Sequence, residues 1–189
     1  MRVMLVDDDQ SRLTMLHRAL SDDGHEVVAR LAADADLLDA VRRHAPEIVL
    51  IDVDAPTRDT LESLSQVTRD VPRPVVMFAA HSDADTTRRA LRAGVSAYVV
   101  DGLVPSRLRS VIEVAIARFH EHRALVEELQ DAKSRLADRR DIDRAKGLLM
   151  TRRGLSEDAA YEQLRKLAMD RNIRIGEAAR VLIAAAELI

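Results

Sequence analysis

Residues 1–9 read MRVMLVDDD, a short apolar run at 3–6 that stops on three carboxylates. An uninterrupted apolar run closed by charge is what a strand covered on both faces requires, and such strands belong to parallel sheets. Working outward, similar runs recur at 26–29, 47–51, 75–79 and 97–100, and each is followed by roughly ten or more residues of helical periodicity. Punctuation agrees. Gly24, Pro46, Pro72 and Pro74 precede runs, and Gly94 follows a helix expected to start near Asp83. Residues 1–120 are therefore predicted to form an α/β domain, a five-stranded doubly wound parallel sheet with a flavodoxin-like winding. Ligands of such a sheet sit at the carboxyl ends of its strands.

Composition limits the rest of the chain. A length of 189 residues, 47% hydrophobic, holds one ordinary domain and a small helical appendage. The absence of cysteine excludes disulfides, thiolate zinc sites and cysteine nucleophiles. The N-terminus turns acidic before a signal-peptide apolar run develops, and the apolar stretch at 175–189 is broken by Glu177, Arg180 and Glu187. A soluble cytoplasmic protein with no membrane partner is expected. The net charge of -3 hides a split: residues 133–180 carry 13 Lys or Arg against 8 Asp or Glu, a balance of +5 that leaves -8 for the rest. Only Lys133, Lys146 and Lys166 are lysine, so the first 132 residues contain none.

Leu108, Val111, Ile112, Ala115, Ile116 and Phe119 give one apolar face to a helix that meets no Gly or Pro until Gly147. Beyond it Leu125, Leu129, Ala132 and Leu136 keep the four-three-four spacing of a coiled-coil seam, which predicts a homodimer across 121–136. The alternative is a solvated linker helix whose stripe rests on its own tail. Gly154 ends the long helix, and Ser156 caps the next with Glu157 and Asp158 in its first turn. Ala159, Ala160, Leu164, Leu167 and Ala168 are its expected buried face. A last helix from about 175 presents Ala178, Ala179, Leu182, Ile183, Ala186 and Ile189. Residues 137–189 thus read as a small three-helix bundle.

Asp7 and Asp8 follow the first predicted strand and Asp52 ends the third, so the three carboxylates should meet at one sheet edge. Mg²⁺ suits such a cluster, since it takes one or two carboxylates and otherwise keeps water and phosphate oxygens. Behind this half, residues 144–150 read RAKGLLM and 168–175 read AMDRNIRI. In this order the acidic edge and the two strings resemble response regulators with an N-terminal receiver and a C-terminal ANTAR domain, RNA-binding transcription antiterminators of two-component signalling. The resemblance implies a metal-binding pair in Asp7 and Asp8, a phosphoacceptor in Asp52, a backbone-carbonyl metal contact at Asp54 and a switch aromatic in Tyr98. A half-buried strand tyrosine is the plainer reading of Tyr98, and Asp9 reads as a loop carboxylate.

The chain also departs from that pattern. Receivers place Ser or Thr at the end of the fourth strand and Lys at the end of the fifth; here the positions hold Ala79 and Asp101. Ser82 and Arg88 are the nearest stand-ins. AYVVDGL at 97–103 and PTRDTLE at 56–62 are most similar to the nitrate-assimilation antiterminators, for which the resemblance implies control by a separate nitrate-sensing protein. The sensor is therefore expected to be either such a binding partner or a histidine kinase, and the degenerate receiver to answer to a partner rather than to phosphorylation alone.

Arg140, Lys146, Arg165, Lys166, Arg171 and Arg174 concentrate charge in the small bundle, a surface that attracts phosphates. The bundle lacks the short second helix, tight turn and recognition helix of a helix-turn-helix, and Tyr161 is its only aromatic. A folded RNA that displays loop bases on a hairpin is the target this leaves, and the resemblance implies a pair of hairpins in leader RNA. Ala145, Gly147 and Ala159 are small where helices or RNA approach closely. Alternatives are a solvated basic face paired with Asp141, Asp143 and Glu162, a protein-interaction adaptor, and a DNA-binding regulator. No histidine shows a metal-ligand spacing and no catalytic triad or phosphate loop is visible, so no enzyme is expected.

Overall fold

The computed structural model describes residues 1–100 and 105–187. They form two compact units, Met1–Arg123 and Ala124–Ile189. In the first, β1 (Arg2–Val6), α1 (Gln10–Asp22), β2 (Glu26–Leu31), α2 (Leu37–His44), β3 (Ile48–Val53), α3 (Arg58–Asp70), β4 (Val75–Ala79), α4 (Ala84–Arg92) and β5 (Ala97–Val100) alternate before α5 (Pro105–Arg153) begins. The strands pair in parallel in the order β2-β1-β3-β4-β5.

The period of two along each strand divides its apolar run between two cores. Val3, Leu5, Ile48, Leu50, Val76 and Phe78 face α1 through Leu13, Leu16 and Leu20, and α5 through Leu108, Ile112 and Ala115. Met4, Val6, Val49, Ile51, Val75 and Met77 face the other way, onto Leu37 and Val41 of α2, Leu61, Leu64 and Val67 of α3, and Ala90 of α4. Helix starts are fixed by side-chain caps. Asp9, Asp36, Thr57 and Asp83 each accept a backbone N–H from the first turn of the helix they precede.

Helix α4 is thinly anchored, because Ala90 is its single buried residue. Its carboxyl end is held more firmly: Thr68 Oγ1 donates to the Ala93 carbonyl at 2.9 Å. Gly94 beside it has φ +95, and a Cβ there would come within 2.7 Å of Thr68 Cγ2. Only glycine meets both demands.

The second unit consists of the later part of α5 with α6 (Glu157–Arg171) and α7 (Ile175–Glu187). Its core is Ala145 and Leu149 from α5, Ala160 and Leu164 from α6, and Ala179 and Ile183 from α7. Ala159 departs from expectation and faces solvent; the buried stripe of α6 is Ala160, Leu164 and Ala168. Ser156 caps α6 by accepting from Ala159 N, as its sequence predicts. Arg180 joins α7 to α5 by contacts to Asp138 at 2.7 Å and Asp141 at 3.3 Å. Among the described residues no helix is long and apolar enough to cross a membrane.

Candidate functional site

Register brings the acidic residues together. Val6 lies opposite Ile51, so Asp7, one step beyond β1, arrives beside Asp52 near the end of β3. Both are buried, at 1% and 5% exposure. Between them lies a residue that the sequence pattern does not single out. Arg12, in the first turn of α1, donates from Nε to Asp7 Oδ2 and from a terminal nitrogen to Asp7 Oδ1, each at 2.9 Å. The same guanidinium stands 3.7 Å from Asp52 and 4.0 Å from Asp54. Asp7 Oδ1 also accepts from Asp9 N at 2.8 Å. Burial pushes the Asp52 carboxyl up to about 6, partly opposed by Arg12 and reinforced by Asp7. The Arg12 pKa is raised as well, its cation stabilised first by the hydrogen bond to Asp7.

Asp8 is turned away from this cluster and accepts from Ala33 N at 2.8 Å, holding the segment after β2. The Asp54 side chain is exposed, and its carbonyl accepts from His81 N at 3.1 Å. Asp9 is the N-cap of α1, its oxygen taking Ser11 N and Arg12 N. Ala79 is buried at the end of β4 with no hydroxyl to offer. The Ser82 hydroxyl accepts from Tyr98 at 2.9 Å and shares a hydrogen bond with Thr87, while Arg88 pairs with Asp85. Both stand-ins are thus engaged elsewhere. Asp101 lies outside the described residues.

In the second unit the six basic candidates divide. Lys146 is drawn inward: its ammonium contacts Glu157 of α6 at 2.7 Å and Asp143 at 3.0 Å, and its side chain is 16% exposed. These hydrogen bonds, Glu157 first, hold its pKa above the ordinary lysine value. Arg165 approaches Glu162 at 3.4 Å. Arg140, Lys166, Arg171 and Arg174 are exposed and, among the described residues, make no side-chain hydrogen bond or ion pair. Gly147 is exposed within α5, and a Cβ there would meet nothing within 4 Å. On the same helix Leu125, Leu129 and Leu136 are 59%, 55% and 53% exposed.

Residues 3–113 match the response regulator receiver domain family, and residues 130–183 match the ANTAR domain family. The chain is an ANTAR response regulator. It is 33% identical over 183 residues to the transcriptional regulatory protein PdtaR of Mycobacterium tuberculosis, covering 96% of this chain and 89% of that protein. Over 75 residues it is 42% identical to the nitrate regulatory protein of Klebsiella oxytoca, a match covering 40% of this chain and 19% of that one. A LuxR-family two-component response regulator from Aurantimonas superposes with a TM-score of 0.54 at 28% identity, over 61% of this chain and 84% of that one. A receiver domain protein from Methanospirillum hungatei gives 0.55 at 23% identity over 64% and 97%, a likeness of fold.

ANTAR response regulators are regulatory proteins and not enzymes. Receivers typically take Mg²⁺ in their acidic pocket. The donors of this ANTAR regulator, as arranged, do not fit that ion. Three hydrogen bonds already fill Asp7, Asp8 serves Ala33, and a guanidinium stands among the remaining carboxylates. Among the described residues no group of three acidic or histidine side chains converges as a ligand set. Of the expected set, Asp7, Asp52 and Asp54 lie within 4.0 Å of the Arg12 guanidinium, and Asp8 serves Ala33 N.

Proposed function

We propose that this ANTAR response regulator binds hairpins in leader RNA as a transcription antiterminator, and that a partner protein acting on the receiver controls it. The observation that carries the reading is the division among the basic residues. Lys146 and Arg180 are tied to carboxylates within the small unit, whereas Arg140, Lys166, Arg171 and Arg174 stand exposed without a counter-charge among the described residues. An intramolecular pair neutralises its cation; an unpaired cluster is the footprint of a polyanion. The match of residues 130–183 to the ANTAR family supports RNA as that polyanion.

Dimerisation belongs to the same proposal. Leu125, Leu129, Ala132 and Leu136 are all exposed on one stripe of α5 in a single chain, and a second copy in register covers them by knobs-into-holes packing. Partner control is supported by the receiver's own departures: Ala79 has no hydroxyl with which to read a phosphoryl group, and the 132 residues through the receiver offer no lysine. A nitrate-sensing protein is one partner consistent with the likeness to the nitrate regulatory protein. Gel-shift titration with a hairpin pair, the same sequence unfolded, and duplex DNA tests the reading. Binding of the hairpins alone supports it. Equal binding of all three, or of none, moves the conclusion to a protein-interaction adaptor.

A further inference from the structure

We infer that the guanidinium of Arg12 is the resident cation of the receiver pocket, neutralising Asp7 and Asp52 in place of a dissociable divalent ion. Three independent features lead there. Asp7, 1% exposed, has both oxygens committed: Oδ2 to Arg12 Nε, and Oδ1 to an Arg12 terminal nitrogen and to Asp9 N. The same guanidinium comes within 3.7 Å of Asp52. Asp8, the other carboxylate adjoining β1, is spent on Ala33 N. With no lysine in the receiver, Arg12 is also the only basic side chain that the described residues place against these carboxylates.

The physical comparison favours the tethered cation. Arg presents a planar fork that matches a carboxylate through two parallel hydrogen bonds. It is attached to α1, whose N-cap Asp9 accepts from Arg12 N and fixes its origin. Its local concentration is therefore set by one turn of chain and not by solution. Mg²⁺ sheds water reluctantly and demands near-octahedral oxygen donors. To enter, it would have to break a bidentate pair at a buried carboxylate, release Asp8 from Ala33 and leave the guanidinium without its partner. On this view the pocket is a cation site already filled by the chain, and loss of Arg12 exposes it.

The test uses the full-length protein and Mn²⁺ as probe, with free Mn²⁺ followed by electron paramagnetic resonance during titration. Wild type should show no saturable site at millimolar Mn²⁺. Arg12→Gln should bind at least about tenfold more tightly, a gain of ~1.4 kcal/mol, and its Tm should rise on adding Mg²⁺ while that of wild type stays level. Adding Asp7→Asn to Arg12→Gln should remove the gained site. Arg12→Lys, which keeps a cation but loses the fork, should fall between. Equal Mn²⁺ affinity in wild type and Arg12→Gln, or a gained site that survives Asp7→Asn, would overturn the inference. If Arg12→Gln does not fold, the wild-type titration still decides: saturable binding abolished by Asp7→Asn overturns the inference, and its absence supports it.

Discussion

Replacing Gly147 by alanine should make the protein more stable and a poorer RNA binder. Glycine inside a helix is about 0.8–1.0 kcal/mol less favourable than alanine, because it surrenders more backbone freedom on ordering. At Gly147 the fold gains nothing in return. The position is exposed and helical, and an added Cβ meets no atom within 4 Å. Gly147→Ala should therefore raise the stability of the second unit by about 1 kcal/mol, or roughly 4–8 °C in Tm for a unit of this size. Gly147 lies two helical turns beyond Arg140 and so shares its stripe of α5. A methyl group there would hold a phosphate backbone off that stripe, and hairpin affinity should drop about tenfold, or ~1.4 kcal/mol. Thermal melts recorded by far-UV circular dichroism and filter binding on one preparation measure both. A variant that melts lower would refute the open-site argument; one that binds hairpin RNA as wild type would remove this stripe from the interface.

The same geometry yields other expectations. Asp52 titrates near 6 in the fold against an ordinary 3.8, so the native state retains a proton that the unfolded chain has released; stability should fall as pH rises between those values, by up to about 3 kcal/mol, and Asp52→Asn should abolish that fall in metal-free urea melts. Leu129→Gln with Leu136→Gln should lower the mass seen by light scattering without unfolding the receiver; an unchanged mass would place the dimer contact elsewhere. Arg171→Ala or Arg174→Ala should cost about 1–3 kcal/mol on the cognate hairpin and less on others. Lys146→Ala should act differently, loosening α6 from α5 in hydrogen exchange; loss of RNA affinity with α6 protection intact would reverse that assignment. Leu164→Ala, in the middle of the small core, should cost about 2–5 kcal/mol in urea melts.

The fold was largely legible because its signals are local. The apolar runs at 75–79 and 97–100 are the observed β4 and β5, and Asp83 and Ser156 cap helices where a short polar side chain precedes a periodic segment. The pocket was legible only in its strand-borne members, Asp7 and Asp52, because strand register carries them. Arg12 was not, since its role depends on the rotamer of a long side chain crossing from α1, and 29 basic residues give no reason to choose it. The one available signal was its place in the first turn directly after the three carboxylates. The ion pair of Lys146 was not legible for a related reason: its partner Glu157 is 11 residues away across the α5–α6 connection, beyond any helical spacing rule.

The thin anchoring of α4 leaves its amino end attached to the receiver through few side chains. Drawing this helix off the sheet uncovers Ala90, its single buried residue, with the core beneath it and the half-buried Thr86 and Thr87. A protein that grips α4 with micromolar affinity has ~8 kcal/mol at its disposal. The hydroxyl of Thr68, closed over the backbone at Ala93 and packed on Gly94, keeps the carboxyl end in place and serves as the fulcrum. Motion about that point swings the amino end of α4, where Thr87 is joined through Ser82 to Tyr98. A load on the amino end of α4 is thus coupled through two hydrogen bonds to a strand residue.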